Sequence, residues 1–182
     1  MRIIAGRLGG RAFNSPRGNR THPMSERIRG ALFNALGDIT GLTVLDAFAG
    51  SGALSFEALS RGVARATAID SDQSAQRTIA ENSKELGLTS QIKLIKASAG
   101  AWLSTTPASV TFDIVICDPP YADVTPQLLE RLADRCKQDG IVVLSLPPQT
   151  DIELADNYEL LSSKNYGDAE LSFHRRLDGP SS

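Results

Sequence analysis

The sequence predicts an α/β fold, a doubly wound and mainly parallel seven-stranded sheet preceded by a short hairpin-and-helix extension. Three observations carry this. From residue 43 onward, apolar runs of strand length alternate with stretches of helical periodicity, and that alternation builds parallel sheets covered by helices. The glycine-rich turn in TVLDAFAGSGALSFEAL joins the first run directly to a helix. The run FDIVIC, Phe112 to Cys117, ends in Asp118-Pro119-Pro120-Tyr121, a strand stopped by two rings.

Taken in order, residues 2–14 read as two short strands around a Gly-rich turn. The turn-rich segment SPRGNRTHP follows. A helix then starts at the cap Ser25 and ends at Gly37, with Ile28, Ala31, Leu32, Ala35 and Leu36 on one face. Strands are expected at 43–47, 66–70, 92–96, 112–117 and 141–146, and helices at about 52–61, 72–86 and 125–137. The last helix has Thr125 as N-cap and Pro126 in first position, with Leu128, Leu129, Leu132, Ala133 and Cys136 inward. Residues 158–177 supply two further strands around NYGDAE. The organisation is then a basic arm over 1–37, an α/β domain over 38–177 and a disordered tail over 178–182.

A chain of 182 residues, 41% apolar and 22% charged, suits one soluble domain with a full core. Cys117 falls inside a strand, so a small buried hydrophobe is a better reading than a disulfide. No Cys/His cluster has metal-ligand spacing, and His22 and His174 lie far apart, so no metal is expected. The N-terminus MRIIAGRLGG lacks an apolar signal core and no run approaches a membrane span; a cytoplasmic monomer is expected.

Charge is uneven. Seven arginines and one glutamate give residues 1–30 a net +6, leaving −8 on the rest of a chain whose total is −2. A basic arm on an acidic body reads as an anion-binding appendage, with nucleic acid first among its partners; a merely solvated tail is the bland alternative. All seven are arginine, the residue whose planar fork matches phosphate.

Gly50 and Gly52 let a ligand approach the backbone at the carboxyl edge of the first strand, though a tight βα turn would look similar. Asp70 closes the next strand at the distance where an acid meets a ribose hydroxyl pair. Asp46 precedes the glycines, an odd place for a charge. Ser55 occupies the region of the third glycine of a dinucleotide fingerprint, which disfavours NAD. S-adenosylmethionine suits Asp46 better, since its ammonium and sulfonium are cationic.

Pro120 restricts Pro119 to extended geometry, so the Pro119 carbonyl points one way, and the Asp118 side chain adds a second acceptor. Two fixed acceptors suit an exocyclic amine, orienting its nitrogen lone pair toward an electrophile. Tyr121 offers a face for a base to stack on. The plain alternative is a Pro-terminated strand with a surface tyrosine.

With these motifs in view, DAFAGSGAL (46–54) and DPPY (118–121) resemble the class I, Rossmann-like S-adenosylmethionine-dependent amino-methyltransferases of nucleic acids. MRIIAGRLGGR, THPMSERIRGALFN, FEALSRG and YGDAELSFHRR are similar, more narrowly, to the bacterial 16S rRNA (guanine-N2)-methyltransferases. That resemblance implies Asp118, Pro119, Pro120 and Tyr121 at the target guanine. It implies a cofactor set of Asp46, Phe48, Ala49, Gly50, Ser51, Gly52, Asp70, Ser71, Ser98 and Ala99, and RNA contacts from Arg11, Arg20, His22, Ser25, Arg27 and Arg29. The partner it implies is 16S rRNA in a 30S particle. The chain departs from the family pattern at His22, Met24, Asp70, Ser98 and 145–148. A DNA adenine-N6 or cytosine-N4 methylase would use the same acceptors, but the chain leaves no room for a DNA-recognition domain. An NAD-dependent oxidoreductase lacks its glycine, and a non-enzymatic RNA-binding module leaves DPPY unexplained.

Overall fold

The strands predicted as continuous apolar runs form a single sheet in the computed structural model, which describes residues 1–16, 24–123, 125–150 and 152–178. In chain order the elements are α1 (Glu26–Leu36), β1 (Thr43–Asp46), α2 (Ala53–Ser60), β2 (Arg65–Asp70), α3 (Gln73–Glu85), β3 (Ile92–Lys96), α4 (Ala99–Thr105), β4 (Phe112–Cys117), a 3-10 turn (Tyr121–Asp123), α5 (Pro126–Ala133), β5 (Cys136–Leu146), β6 (Tyr158–Asn165) and β7 (Glu170–Arg176). The sheet order is β3-β2-β1-β4-β5-β7-β6. Strands β1 to β5 run parallel, and β7 pairs antiparallel with both β5 and β6.

Strand order reverses between β1 and β4, so the loops leaving their carboxyl ends diverge and open a crevice there. Both sheet faces are covered, which is why the central strands carry continuous apolar runs. On one face Ile28, Leu32 and Phe33 of α1, Phe56 and Leu59 of α2 and Ile79 of α3 pack with Val44 and Ile116. On the other, Trp102 and Leu103 of α4 and Leu129 and Leu132 of α5 pack with Leu45, Val115 and Leu144.

The N-terminal arm belongs to the first of these cores. Ile3 and Phe13 are buried in it, and the Phe13 ring meets Phe56 edge-on at 5.4 Å. In place of two strands the arm has a single bridge, Arg2 to Ala12. Its backbone bonds instead to side chains of α2, every residue of which is buried. Glu57 accepts the N–H groups of Ile4 (2.7 Å) and Ala5 (3.1 Å), while the Ser60 hydroxyl accepts from Leu8 N–H and donates to the Ala5 carbonyl. Gly6, at φ +80°, makes the contact possible: a Cβ there would lie 2.0 Å from the Ser60 carbonyl oxygen.

Three elements depart from the expectations. Helix α4 was not anticipated; it is one short stretch of small residues whose Trp102 and Leu103 face the core. Helix α5 ends at Ala133 rather than 137, and Cys136 opens β5 instead of lining a helix. The strand expected from 141 starts five residues earlier, and residues 137–140 are carried inside β5 as a register shift, with Asp139 at φ +59°. In α1 the inward residues include Arg29 and Phe33, while Ala35 is exposed. Of the predicted tail, residues 179–182 lie outside the described residues.

Candidate functional site

The site grows from the carboxyl ends of β1, β2 and β4. After Asp46 the chain turns under hydrogen bonds from Ala47 N–H to the Ile116 carbonyl (3.1 Å) and from Ala49 N–H to the Ile69 carbonyl (2.9 Å). Gly52 sits in the left-handed region at φ +78° and starts α2; a Cβ there would press on the Phe56 ring at 2.8 Å. Ala49 and Ser51 are buried in this turn, and Phe48 is half-buried against the α4–α5 core.

Asp70 ties the turn to the next strand. Its Oδ2 accepts from Gly50 N–H at 2.7 Å and its Oδ1 from Asp72 N–H at 2.8 Å. Each oxygen keeps a further lone pair for a hydroxyl donor. Ser71, beyond it, is exposed. Ser98 caps α4 by accepting from Ala101 N–H at 3.2 Å, and Ala99 is buried behind it.

Asp46 is fully buried. Its Oδ2 accepts from the Ser55 hydroxyl at 2.7 Å, and among the described residues nothing donates to its Oδ1. Burial pushes its carboxyl up to about 7, and the carboxylates of Asp118 and Asp70 add to the effect. A buried acid with a vacant oxygen is costly unless a cationic donor meets it. The Ser55 that broke the dinucleotide fingerprint is thus the residue that orients Asp46.

Across the crevice β4 delivers Asp118, half-buried, its carboxyl raised to about 6 by burial and partly restrained by a hydrogen bond with Ser145 of β5. Ser145 is itself buried, and the sequence reading missed its role. Pro119 is buried and Pro120 exposed; among the described residues no N–H or O–H donates to the Pro119 carbonyl. The ring of Tyr121 is half exposed, and its hydroxyl donates to the Asp168 carbonyl at 2.5 Å. Burial, then the carboxylates of Asp118 and Asp168, raise that hydroxyl's pKa.

The residues assigned to RNA scatter. Arg29 is a correction: its side chain is fully buried, its Nη2 donates to the Arg2 carbonyl at 2.6 Å, and its Nε lies 3.8 Å from Glu57. A guanidinium in that position fastens the arm and cannot reach a phosphate. Arg11 is exposed, but it donates to the Glu85 carbonyl at the far end of α3, away from the strand ends. Ser25 caps α1 by accepting from Ile28 N–H at 3.2 Å. Arg27 is exposed beside Tyr166. Arg20 and His22 lie outside the described residues.

The donor expected from the sequence fits this arrangement. Asp46 keeps a buried oxygen without a donor, Gly50 and Gly52 hold the turn in the left-handed region, and Asp70 has acceptor capacity left beside it. Among the described residues no three His, Cys, Asp or Glu side chains converge to hold a metal, and no helix is long and apolar enough to cross a membrane.

A seven-stranded sheet of this order with a glycine turn and an acid at its switch point defines a class I methyltransferase fold. More particularly, the chain belongs to the family described as conserved hypothetical protein 95, that of the ribosomal RNA small subunit methyltransferase D proteins, whose model matches residues 1–175. It is 30% identical to ribosomal RNA small subunit methyltransferase D of Haemophilus influenzae, over 92% of this chain and 89% of that one. It is 29% identical to YlbH of Bacillus subtilis, over 97% and 99% of the two chains. The solved structure of yhhF from Escherichia coli superposes with a TM-score of 0.86 at 28% identity, covering 97% of this chain and 98% of its own.

Proposed function

We propose that this protein is a ribosomal RNA methyltransferase that binds S-adenosylmethionine and methylates the exocyclic N2 amine of a guanine in 16S rRNA. The observation that carries the reading is the crevice between β1 and β4, where the buried, half-paired Asp46 lies within electrostatic reach of Asp118 at the end of β4. The name carried by the Haemophilus relative supports a ribosomal RNA as the acceptor.

Bound S-adenosylmethionine supplies an electrophilic methyl group. Asp46 would hold its cationic amino end, Asp70 its ribose, and the turn Ala49–Gly52 its chain. The Asp118 carboxylate and the Pro119 carbonyl accept the two N–H bonds of the base amine. That removes the amine's rotational freedom and draws its nitrogen out of conjugation with the ring. As the nitrogen gains its methyl it turns acidic, and one proton leaves along the hydrogen bond already aimed at Asp118. Tyr121, anchored through its hydroxyl, presents its ring for the base to stack on, worth about 1–3 kcal/mol.

The test is incubation with isotopically labelled donor and, separately, undermethylated 30S particles, naked 16S rRNA and DNA, followed by nucleoside analysis. N2-methylguanosine from an RNA substrate is the expected product. Methyladenine or methylcytosine from DNA would overturn the proposal.

A further inference from the structure

We propose that Arg27 and Lys164, carried on the ring of Tyr166, form a phosphate clamp that grips the RNA backbone beside the target nucleotide. The inference rests on the function proposed above and joins Lys164 and Tyr166 to Arg27, which the family resemblance already sets against RNA. The Arg27 guanidinium lies 5.7 Å from the centre of the Tyr166 ring and the Lys164 ammonium 5.4 Å from the same centre. Arg27 also donates to the Tyr166 carbonyl at 3.3 Å. Two cations from elements at opposite ends of the chain thus share one aromatic ring.

Neither cation has an acidic partner. Among the described residues the ion pairs are Arg2–Glu26, Arg29–Glu57, Arg61–Glu57 and Lys137–Asp113. Glu170, at the start of β7, instead accepts from the Ser163 hydroxyl, and Asp168 in the same turn pairs with neither cation. With no carboxylate paired to either cation among the described residues, neighbouring backbone phosphates, one on the guanidinium fork and one on the ammonium, would satisfy both. Both side chains are exposed, whereas Tyr166 is half-buried and fixed.

The place of the clamp points to the RNA strand at the site. Residue 170 pairs with Leu146 at the carboxyl end of β5, so the β6–β7 turn stands at the same sheet edge as Asp118. The turn is held by Tyr166 N–H to the Ala169 carbonyl (2.8 Å) and by Gly167 N–H to the Asn165 side chain (2.7 Å). It is tied to the Asp118–Tyr121 loop by the Tyr121 hydroxyl on the Asp168 carbonyl.

Each phosphate contact to a single strand contributes about 0.7 to the slope of log affinity against log salt, so the double variant R27A/K164A should lose about 1.4 of that slope. Between 50 and 200 mM salt the wild type then loses about sevenfold more affinity for 16S rRNA than the variant does. Binding is measured by filter retention without donor, with Lys93→Ala, an exposed cation on β3, as the control that leaves the slope unchanged. Tyr166→Leu, which removes the ring but no charge, should weaken RNA binding several-fold with little change in slope. A titration of the double variant with S-adenosylmethionine reports any folding damage, and a loss of donor affinity as large as the loss for RNA overturns the clamp. If the wild type methylates rRNA and R27A/K164A keeps the full salt slope, the clamp falls and the proposed function stands. If the wild type binds no rRNA, both fall together.

Discussion

Glu57 offers the sharpest stability prediction. Its carboxylate is buried, accepts from Ile4 and Ala5 N–H, and faces Arg61 at 2.8 Å and Arg29 at 3.8 Å. Glu57→Gln keeps the shape and one acceptor oxygen but withdraws the counter-charge from Arg29. That guanidinium is fully buried, and burial already lowers its pKa against the opposing pull of Glu57. Removing one partner of a buried pair costs about 3–5 kcal/mol. For a chain of this size each kcal/mol moves Tm by roughly 2–4 °C, so a fall of about 6–20 °C is expected in calorimetry. Adding Arg29→Met removes the stranded cation, and the double variant should be more stable than Glu57→Gln alone. A Tm within about 2 °C of wild type for Glu57→Gln, or simple addition of the two losses, would refute the coupling.

Three further outcomes follow from the site and the arm. Asp46 stands at about 7 in the folded chain and at about 4 unfolded; the folded state therefore holds the extra proton between those values, and this group's contribution to stability fades as pH rises from about 4 to 7. Because a cationic donor favours ionised Asp46, its affinity should climb with pH up to about 7 and then level, and Asp46→Asn should flatten that profile in calorimetric titrations. Ser145→Ala removes the hydrogen bond that lowers the Asp118 pKa, so the acid limb of the rate profile, near 6 in the wild type, should move to higher pH. Gly6→Ala places a Cβ 2.0 Å from the Ser60 carbonyl oxygen and should cost about 2–4 kcal/mol in urea denaturation.

The parallel sheet was legible because strands covered on both faces must be apolar throughout, and Val44–Leu45 and Ile114–Cys117 announce themselves. Helix α4 was not, since AGAWLST is too short to show a period. The first residues of β5 were hidden by a bulge whose KQDG has turn composition. Arg29 misled for a different reason. A charge is read as exposed by default, yet residue 29 lies one helical turn before Phe33 and shares its face. Its partner Glu57 sits in a helix of separate sequence, so the pair becomes visible only in three dimensions. The +6 charge of the arm suffered the same ambiguity: Arg2 pairs with Glu26, and Arg7 and Arg11 bond to Gln91 and the Glu85 carbonyl. The glycine turn, Asp46, Asp70 and the Asp118–Tyr121 loop do meet at one sheet edge, because parallel strands bring their carboxyl ends together. The partners of Ser55 and Ser145 were not legible, because a lone serine carries no signature of what it bonds.

Single-turnover transfer by Asp118→Ala, measured beside its affinity for S-adenosylmethionine, tests the two-acceptor grip most directly. Transfer to rRNA should fall by about two to three orders of magnitude, with donor affinity within a few-fold of wild type. A variant that loses the donor and still transfers in proportion to its occupancy would place Asp118 in the cofactor site and contradict the account.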